Sequence, residues 1–232
     1  DKYRPSAWDA AFARVARNLK ALPDPNQAVF YTSGRTSNEA AFLYQLFVRQ
    51  FGTNNFPDCS NMCHEASGSG MKPQIGVGKG TVQLADFEQA DAIFIFGPNH
   101  GPNHPRMLGE LRAAHLRGAR IVSFNPLRER GLERFADPQS KLEMATFGST
   151  PISTHYFQLR VGGDLPAVKG IMKHVLEQED ARGGVLDHAF IAEHTTGFDA
   201  LAASLRAEPW ALLAEESGLS ETQLRAAGDI SL

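Results

Sequence analysis

The sequence predicts an α/β fold in which helices flank a parallel sheet, because short apolar strands alternate with helical segments after residue 90. Strands that are separated by helices pair in parallel. The first of them, Ala92 to Phe96, is a continuous apolar run, which is typical of a strand that is covered on both faces. We therefore expect a Rossmann-like sheet in this part of the chain, with an incomplete second α/β piece at the N-terminus.

The N-terminal piece combines two predicted helices with one strand. Apolar side chains recur at helical spacing over residues 6–22, and Ser6 is placed to cap that helix. An apolar strand is predicted over 28–32 and a second helix over 37–50. The polar loop before the second helix presents backbone N–H groups at a helix N-terminus, which favours an anionic ligand, and Arg35 adds a positive charge there.

Residues 52–80 are rich in Gly, Asn and Ser and show no regular apolar pattern. We expect a long irregular loop of roughly thirty residues, which is longer than ordinary connections. Loops of this kind usually carry function. Cys63 and His64 lie side by side within it.

The second half of the chain supplies three strands whose carboxyl ends lead into polar loops. Such loops collect at one edge of a parallel sheet, where ligands of open α/β sheets bind. The loops are 97–104, 125–130 and 162–164. The predicted strands are 92–96, 119–124 and 156–161; the predicted helices are 105–117, with Met107, Leu108, Leu111 and Leu116 facing inward, 165–177, and several short ones over 187–228.

Composition excludes several classes of function. An apolar fraction of 42% and a charged fraction of 21% are ordinary for a globular protein, and a net charge of −3 gives no reason to expect nucleic acid. No apolar run approaches the roughly 20 residues that span a bilayer. Two cysteines form no disulfide framework, which favours a reducing, cytoplasmic compartment.

The chain lacks an initiator Met and stops where a new apolar segment begins, so we expect a middle fragment of a longer protein.

The Cys63–His64 pair has three interpretations. The thiolate can bind a soft transition metal. The imidazole can instead help to deprotonate the thiol and make it a nucleophile. The third possibility is a structural, half-buried thiol beside a surface imidazole, which is the commonest role of free cysteines. The pair by itself does not decide between them.

Other polar motifs carry weaker signals. Two histidines in the 97–104 loop lack the paired cysteines of a structural zinc site. Asp164, after two glycines, is either a helix N-cap or a carboxylate that accepts two N–H donors from a guanine edge. Arg128 and Arg130 can bind phosphate through their positive charges, although such charges more commonly mark the solvent-exposed start of a helix. The chain contains neither a Gly-x-Gly-x-x-Gly turn nor a P-loop, which argues against nicotinamide dehydrogenases and ordinary NTPases.

Taken in order, these motifs resemble the catalytic subunit of the molybdopterin oxidoreductases, and within the DMSO reductase superfamily the formate-dehydrogenase-like branch. The resemblance runs from about Trp8 to the end of the chain. It rests on the order and spacing of Tyr31-Thr32-Ser33-Gly34-Arg35-x-x-Asn38-Glu39, Gly52-Thr53-Asn54-Asn55, Cys63-His64, Phe96-Gly97-x-Asn99, Asn125-Pro126 and Gly162-Gly163-Asp164.

The resemblance implies a bis(molybdopterin guanine dinucleotide) cofactor that carries Mo or W. Cys63 matches the metal ligand of the family, and His64 matches the histidine that helps to take the substrate proton. Asp164 is expected to bind a guanine. The further cofactor-binding residues that the resemblance implies are Ser33, Arg35, Asn38, Glu39, Gly97, Asn99, Asn125 and Gly162.

The same resemblance implies how the chain is divided and what it works with. Residues 1–58 match part of a discontinuous α/β domain, and 59–232 match the domain that binds a molybdopterin dinucleotide. The full-length protein is expected to hold a 4Fe-4S cluster outside this fragment, to oxidise formate or a similar small molecule, and to pass electrons to an acceptor protein. Neither nucleic acid nor a membrane span is expected. The alternatives are a non-catalytic structural or electron-transfer subunit with the same fold and a thiol enzyme with Cys63 as nucleophile.

Overall fold

The computed structural model describes residues 3–232, apart from the side chains of Ser60 and Asn61. The chain forms two compact units, one that ends at Thr81 and one over Val82–Leu232. The predicted domain boundary, between residues 58 and 59, therefore falls inside the first unit. That residues 1–58 belong to a discontinuous domain stays a prediction. Within the described residues, no helix is both long enough and apolar enough to cross a membrane.

The first unit is mainly helical. The predicted helix over 37–50 is confirmed, and the Ser37 hydroxyl caps it by accepting a hydrogen bond from the N–H of Ala40. The prediction that Ser6 caps the first helix is wrong. The helix begins at Trp8, and its N-cap is Ala7, whose side chain makes no capping hydrogen bond. The helices are α1 (Trp8–Lys20), α2 (Asn38–Phe51), α3 (Cys59–Cys63) and α4 (Glu65–Ile75), with a 3-10 turn at Pro25–Gln27.

The predicted strand over 28–32 is wrong as a regular strand. The segment is extended, and the N–H groups of Phe30 and Thr32 donate to the carbonyls of Asn55 and Pro57 at 2.8 and 3.4 Å. Only an isolated parallel bridge between Thr32 and Asp58 forms, because the partner segment turns into α3 immediately afterwards. The buried ring of Phe30 holds this segment to α2 through edge contacts with its aromatic side chains.

The irregular loop predicted over 52–80 is also corrected. Two helices, α3 and α4, occupy much of it. The glycines that suggested a loop serve instead for close packing, since a Cβ on Gly78 would lie 3.2 Å from the Cα of Gly68 on α4. Glycine lets the chain fold back along the helix at that distance, so its presence here does not mark irregular backbone.

The second unit confirms the predicted α/β fold. Strands β1 (Ala92–Phe96), β2 (Arg120–Phe124) and β5 (His155–Phe157) form a parallel sheet in the order β1-β2-β5. Strands β3 (Arg134–Phe135) and β4 (Thr150–Pro151) form a small antiparallel ladder. The helices are α5 (His100–Asn103), α6 (Met107–Arg117), α7 (Arg130–Glu133), α8 (Lys141–Thr146), α9 (Asp164–Arg182), α10 (His188–His194), α11 (Phe198–Ala207), α12 (Trp210–Ser217) and α13 (Glu221–Asp229).

Two predicted details of this unit are wrong. The third strand ends at Phe157 instead of Val161, because the N–H of Arg160 donates to the carbonyl of Ser217 at 2.8 Å and draws the chain away from the sheet. Leu116 is 62% exposed. The inward face of α6 is formed by Leu108, Leu111 and Ala114, and Leu116 lies on the opposite side, two residues beyond Ala114.

Side chains alternate strictly between the two faces of the sheet. On one face, Phe94, Phe96 and Phe124 pack with α9, α12 and α13; on the other, Ile95 and Ile121 pack with α6. Both faces are therefore covered, as the continuous apolar strand predicts.

A row of three aromatic rings crosses the carboxyl end of the sheet. Phe96, Phe124 and Phe157 are register partners. The ring of Phe124 stacks on its two neighbours with centroid distances of 4.5 and 5.1 Å and is fully buried. Two of the polar edge loops, 97–104 and 125–130, begin directly after this row, so the rings separate them from the core.

A charged network joins three elements of the second unit. Arg112 on α6 lies 2.8 Å from the carboxylate of Glu143 on α8, which also accepts a hydrogen bond from the Thr150 hydroxyl. The backbone N–H of Asp137, then Thr150 and Arg112, lower the pKa of Glu143 to about 2. The network favours the ionised carboxylate and fixes α8 against α6.

We expect Phe124→Ala to lower the free energy of unfolding of the second unit by about 3–5 kcal/mol, since it empties the centre of the aromatic row. Denaturant unfolding followed by Trp210 fluorescence measures this loss. Phe147→Ala is the matched control, because that ring is 97% exposed and its removal is expected to change stability by no more than about 0.5 kcal/mol. Equal effects of the two substitutions would contradict the assignment.

Glu143→Gln tests the charged network through its pH dependence. The folded-state pKa lies below the ordinary value of 4.5, so the ionised carboxylate contributes stability that is present above that pH and is lost as the pH falls towards 2. The variant is therefore expected to be less stable than wild type at neutral pH, with the difference shrinking at about pH 3. Glu216→Gln, on an exposed side chain of α12, is the control and is expected to change stability at neutral pH by no more than about 0.5 kcal/mol.

Candidate functional site

The predicted site residues fall into two groups, one in each compact unit. The first group comprises Ser33, Arg35, Asn38 and Glu39 near the start of α2, with Cys63 and His64 at the end of α3. The second group occupies the carboxyl edge of the parallel sheet. Its members are Gly97, Asn99, Asn125, Gly162 and Asp164.

The Cys63–His64 pair lies at a junction between two helices, not in an irregular loop. Cys63 is the last residue of α3, and His64 is the N-cap of α4, with φ −130° and ψ −5°. Both side chains are exposed. Within the described residues, the Cys63 sulfur accepts no hydrogen bond and forms no disulfide, so it is accessible to a metal or to a reagent.

Cys59 lies one helical turn before Cys63 and has a different environment. It is half-buried, and its sulfur accepts a hydrogen bond from the N–H of Gly34 at 3.1 Å. Of the two cysteines, Cys63 is therefore the one whose sulfur has no partner among the described residues.

The loop that precedes α2 is exposed and ordered by its own side chains. The Ser33 hydroxyl accepts a hydrogen bond from the N–H of Arg35 at 3.3 Å. Asn38 and Glu39 form the exposed first turn of α2. The Arg35 guanidinium has no ion pair with any described residue, which leaves its positive charge available to an anionic group.

At the sheet edge, the loop after β1 begins with a sharp turn. Gly97 has φ +83°, and its N–H donates to the carbonyl of Phe124 at 2.9 Å. Asn99 is half-buried, and its Oδ1 atom is buried without a hydrogen-bond partner in the described part of the chain. The next residue, His100, faces His104 with a ring separation of 6.2 Å; burial, and secondly His104, lower the pKa of His100.

The loop after β2 is held by hydrogen bonds to its own backbone. Asn125 is buried, and its amide donates to the carbonyl of Leu127 at 2.7 Å. The Tyr156 hydroxyl donates to the same carbonyl at 2.6 Å. The Asn125 amide nitrogen is thus engaged in shaping the turn.

The Gly162-Gly163-Asp164 turn brings backbone close to backbone. Gly162 has φ +81°, and a Cβ on Gly163 would lie only 2.7 Å from the carbonyl oxygen of Ser217. Gly163 is the N-cap of α9, so Asp164 is the first helical residue and not the cap. Its half-buried carboxylate makes no hydrogen bond within the described residues and is available to a ligand.

The residues that hold these loops in place were not predicted from the sequence. Arg160 ties the last loop to the end of α12, since its N–H donates to Ser217 O and its guanidinium to Glu215 O at 2.9 Å. Tyr156 and Cys59 play the same part in the other loops. Of these three residues, only Cys59 could have been singled out from the sequence, by its spacing of four from Cys63. That spacing indicates a shared helix face only if the segment is helical.

The described residues contain no group of three or more His, Cys, Asp or Glu side chains that is placed to hold a metal ion. This finding concerns sites that protein side chains build alone. A cofactor that brings its own metal ligands requires only one further donor from the chain.

Comparison with known proteins identifies the family. The sequence pattern described as "Molybdopterin oxidoreductase" matches residues 1–152. "Protein YdeP" of Escherichia coli (strain K12) is 50% identical over 99% of this chain and 31% of its own length. "Uncharacterized oxidoreductase Mb2924c" of Mycobacterium bovis is 52% identical over 86% of this chain and 26% of its own. The chain belongs to the molybdopterin oxidoreductase family and spans about a third or less of the length of these relatives.

Two more distant proteins are also similar. The "F420-dependent formate dehydrogenase 1 subunit alpha" of Methanococcus maripaludis is 28% identical over 86% of this chain and 26% of its own length. The match to the solved structure of acetylene hydratase from Pelobacter acetylenicus covers 97% of this chain and 28% of the hydratase chain, with a TM-score of 0.56 and 20% identity. The structural likeness supports the α/β fold.

We expect Gly163→Ala to destabilise the second unit by about 1–3 kcal/mol, because the new methyl group meets the Ser217 carbonyl and the backbone must shift. Gly109→Ala is the control: it lies in α6 with nothing within 4 Å of a Cβ, and alanine there should stabilise the helix by about 0.5–1 kcal/mol. Thermal unfolding of both variants gives the comparison. A neutral Gly163→Ala would show that the close contact is not needed.

Proposed function

We propose that the full-length protein is a formate-dehydrogenase-like oxidoreductase that uses a bis(molybdopterin guanine dinucleotide) cofactor with Mo or W. The observation that carries the proposal is the exposed sulfur of Cys63 beside His64, which has no partner among the described residues, in a chain of the molybdopterin oxidoreductase family. The similarity to a formate dehydrogenase subunit favours this branch.

The donor chemistry of the first unit fits the metal of such a cofactor. Cys63 is the residue that would hold it, since a thiolate is a soft ligand and no described residue donates a hydrogen bond to this sulfur. The bound cofactor supplies the two-electron redox chemistry, while the protein binds and orients the substrate. Arg35 offers a positive charge, without an ion pair in the part of the chain that the structure describes, for a phosphate or for the acidic substrate.

His64 is proposed to accept the proton that the substrate loses. Its exposed imidazole directly follows the proposed ligand at the helix junction, and histidine is the side chain best suited to proton transfer near neutral pH.

The sheet edge of the second unit is proposed to bind dinucleotide. The Asp164 carboxylate, which makes no hydrogen bond with a described residue, can accept two N–H donors from guanine, and Gly162 leaves the approach open. Gly97, Asn99 and Asn125 occupy the two neighbouring loops. We further propose that Ser33, Asn38 and Glu39, in the first unit, contact the pterin.

Partners outside this chain complete the proposal. A 4Fe-4S cluster, bound by another part of the full-length protein, would pass electrons to an acceptor protein; this chain has only two cysteines and cannot bind such a cluster alone. Residues 1–58 are proposed to be part of a discontinuous domain, with 59–232 as the dinucleotide-binding domain.

Cys63→Ala in the full-length protein tests the proposal. We expect turnover to be abolished while much of the pterin stays bound, because the dinucleotide contacts are unchanged. Metal and pterin analysis together with turnover of formate measure both effects. Lys72→Ala, an exposed residue of α4, is the control and should behave as wild type.

Three other outcomes would contradict the proposal or favour one of its alternatives. Unchanged turnover in Cys63→Ala would remove the metal-ligand assignment. Absence of Mo and W from the wild-type protein would favour a non-catalytic subunit. Turnover of another substrate in metal-free protein, blocked by alkylation of Cys63, would favour the thiol enzyme.

A further inference from the structure

The segment before α2 and the segment before α3 run side by side with a constant register. The N–H of Phe30 donates to the carbonyl of Asn55, and that of Thr32 to the carbonyl of Pro57. The next donor in the row, the N–H of Gly34, meets the sulfur of Cys59 at 3.1 Å. Each acceptor lies 25 residues after its donor, so the row is a short parallel ladder in which the last acceptor is a side chain.

The change of acceptor has a physical cause. Cys59 is the first residue of α3, so its carbonyl points along the helix and is no longer directed at the neighbouring segment. The sulfur takes over the acceptor position that the carbonyl leaves. The fit is close: a Cβ on Gly34 would lie 2.8 Å from this sulfur, so glycine leaves the room that the contact needs.

We propose that Cys59 is a positioning residue that holds the 33–36 loop, and with it Arg35, beside the sulfur of Cys63. Residues four apart on a helix lie on the same face, one turn above the other. The loop that Cys59 holds therefore flanks the face of α3 on which Cys63 lies. This inference rests on the proposed function, because it gives Cys59 a role through the loop and not as a metal ligand.

Cys59→Ala and Cys59→Ser in the full-length, cofactor-loaded protein form the test. Alanine removes the acceptor and leaves the Gly34 N–H without a partner, whereas the serine hydroxyl can accept the same hydrogen bond. We expect amide hydrogen exchange at Gly34 to accelerate about five- to tenfold in Cys59→Ala, the effect of losing one hydrogen bond. In Cys59→Ser most of the protection should return.

A double-mutant cycle with Arg35→Gln separates positioning from general support. If Cys59 acts through Arg35, Cys59→Ala should lower kcat/KM about tenfold in the wild-type background and by much less in the Arg35→Gln background. The metal content should be unchanged in every Cys59 variant, since Cys63 is intact. Lys72→Ala serves again as the control.

Four results would overturn the proposal: unchanged exchange at Gly34 in Cys59→Ala, no recovery in Cys59→Ser, additive effects with Arg35→Gln, or loss of metal from Cys59→Ala. The last would mean that Cys59 itself binds the metal. Exchange at Gly34 does not depend on catalysis. A failure of the proposed function, seen as full turnover in Cys63→Ala, is therefore distinguishable from a failure of this inference.

Discussion

The second unit depends on the pairing of β2 with a strand on each side. Its last residue, Phe124, is fully buried between two rings that are its register partners. Because the three strands end level with one another, the loops that follow them start from a common line. The positions of Gly97 and Asn125 are thus set by core packing, although neither residue belongs to the core cluster. The turn before α9 is held separately, by the hydrogen bond from Arg160 to Ser217.

Local patterns predicted those elements whose cause is local. Strand β1 follows from a continuous apolar run, and the start of α2 follows from the capping hydroxyl of Ser37. The failures have distant causes. The end of β5 is set by the carbonyl of Ser217, which lies far along the chain. Helix α4 packs closely against the backbone of Gly78, whereas the glycine-rich composition of this segment predicts an irregular loop.

The candidate site divides in the same way. The order of motifs identified the family and gave Cys63 its proposed role, which needs no knowledge of distances. The position of Asp164 as the first helical residue could not be predicted, because a cap and a first helical residue have the same sequence signature. The contact between Gly34 and Cys59 joins residues 25 apart, and no local pattern reports it.

The bond between Arg160 and Ser217 has a consequence for the limits of the second unit. All three parallel strands and the glycine turn precede Arg182, so a chain shortened after α9 would keep every sheet residue. It would nevertheless lose α12, whose final carbonyl receives the Arg160 N–H and faces Gly163. Such a shortened chain would keep its strands and still present a misshapen sheet edge.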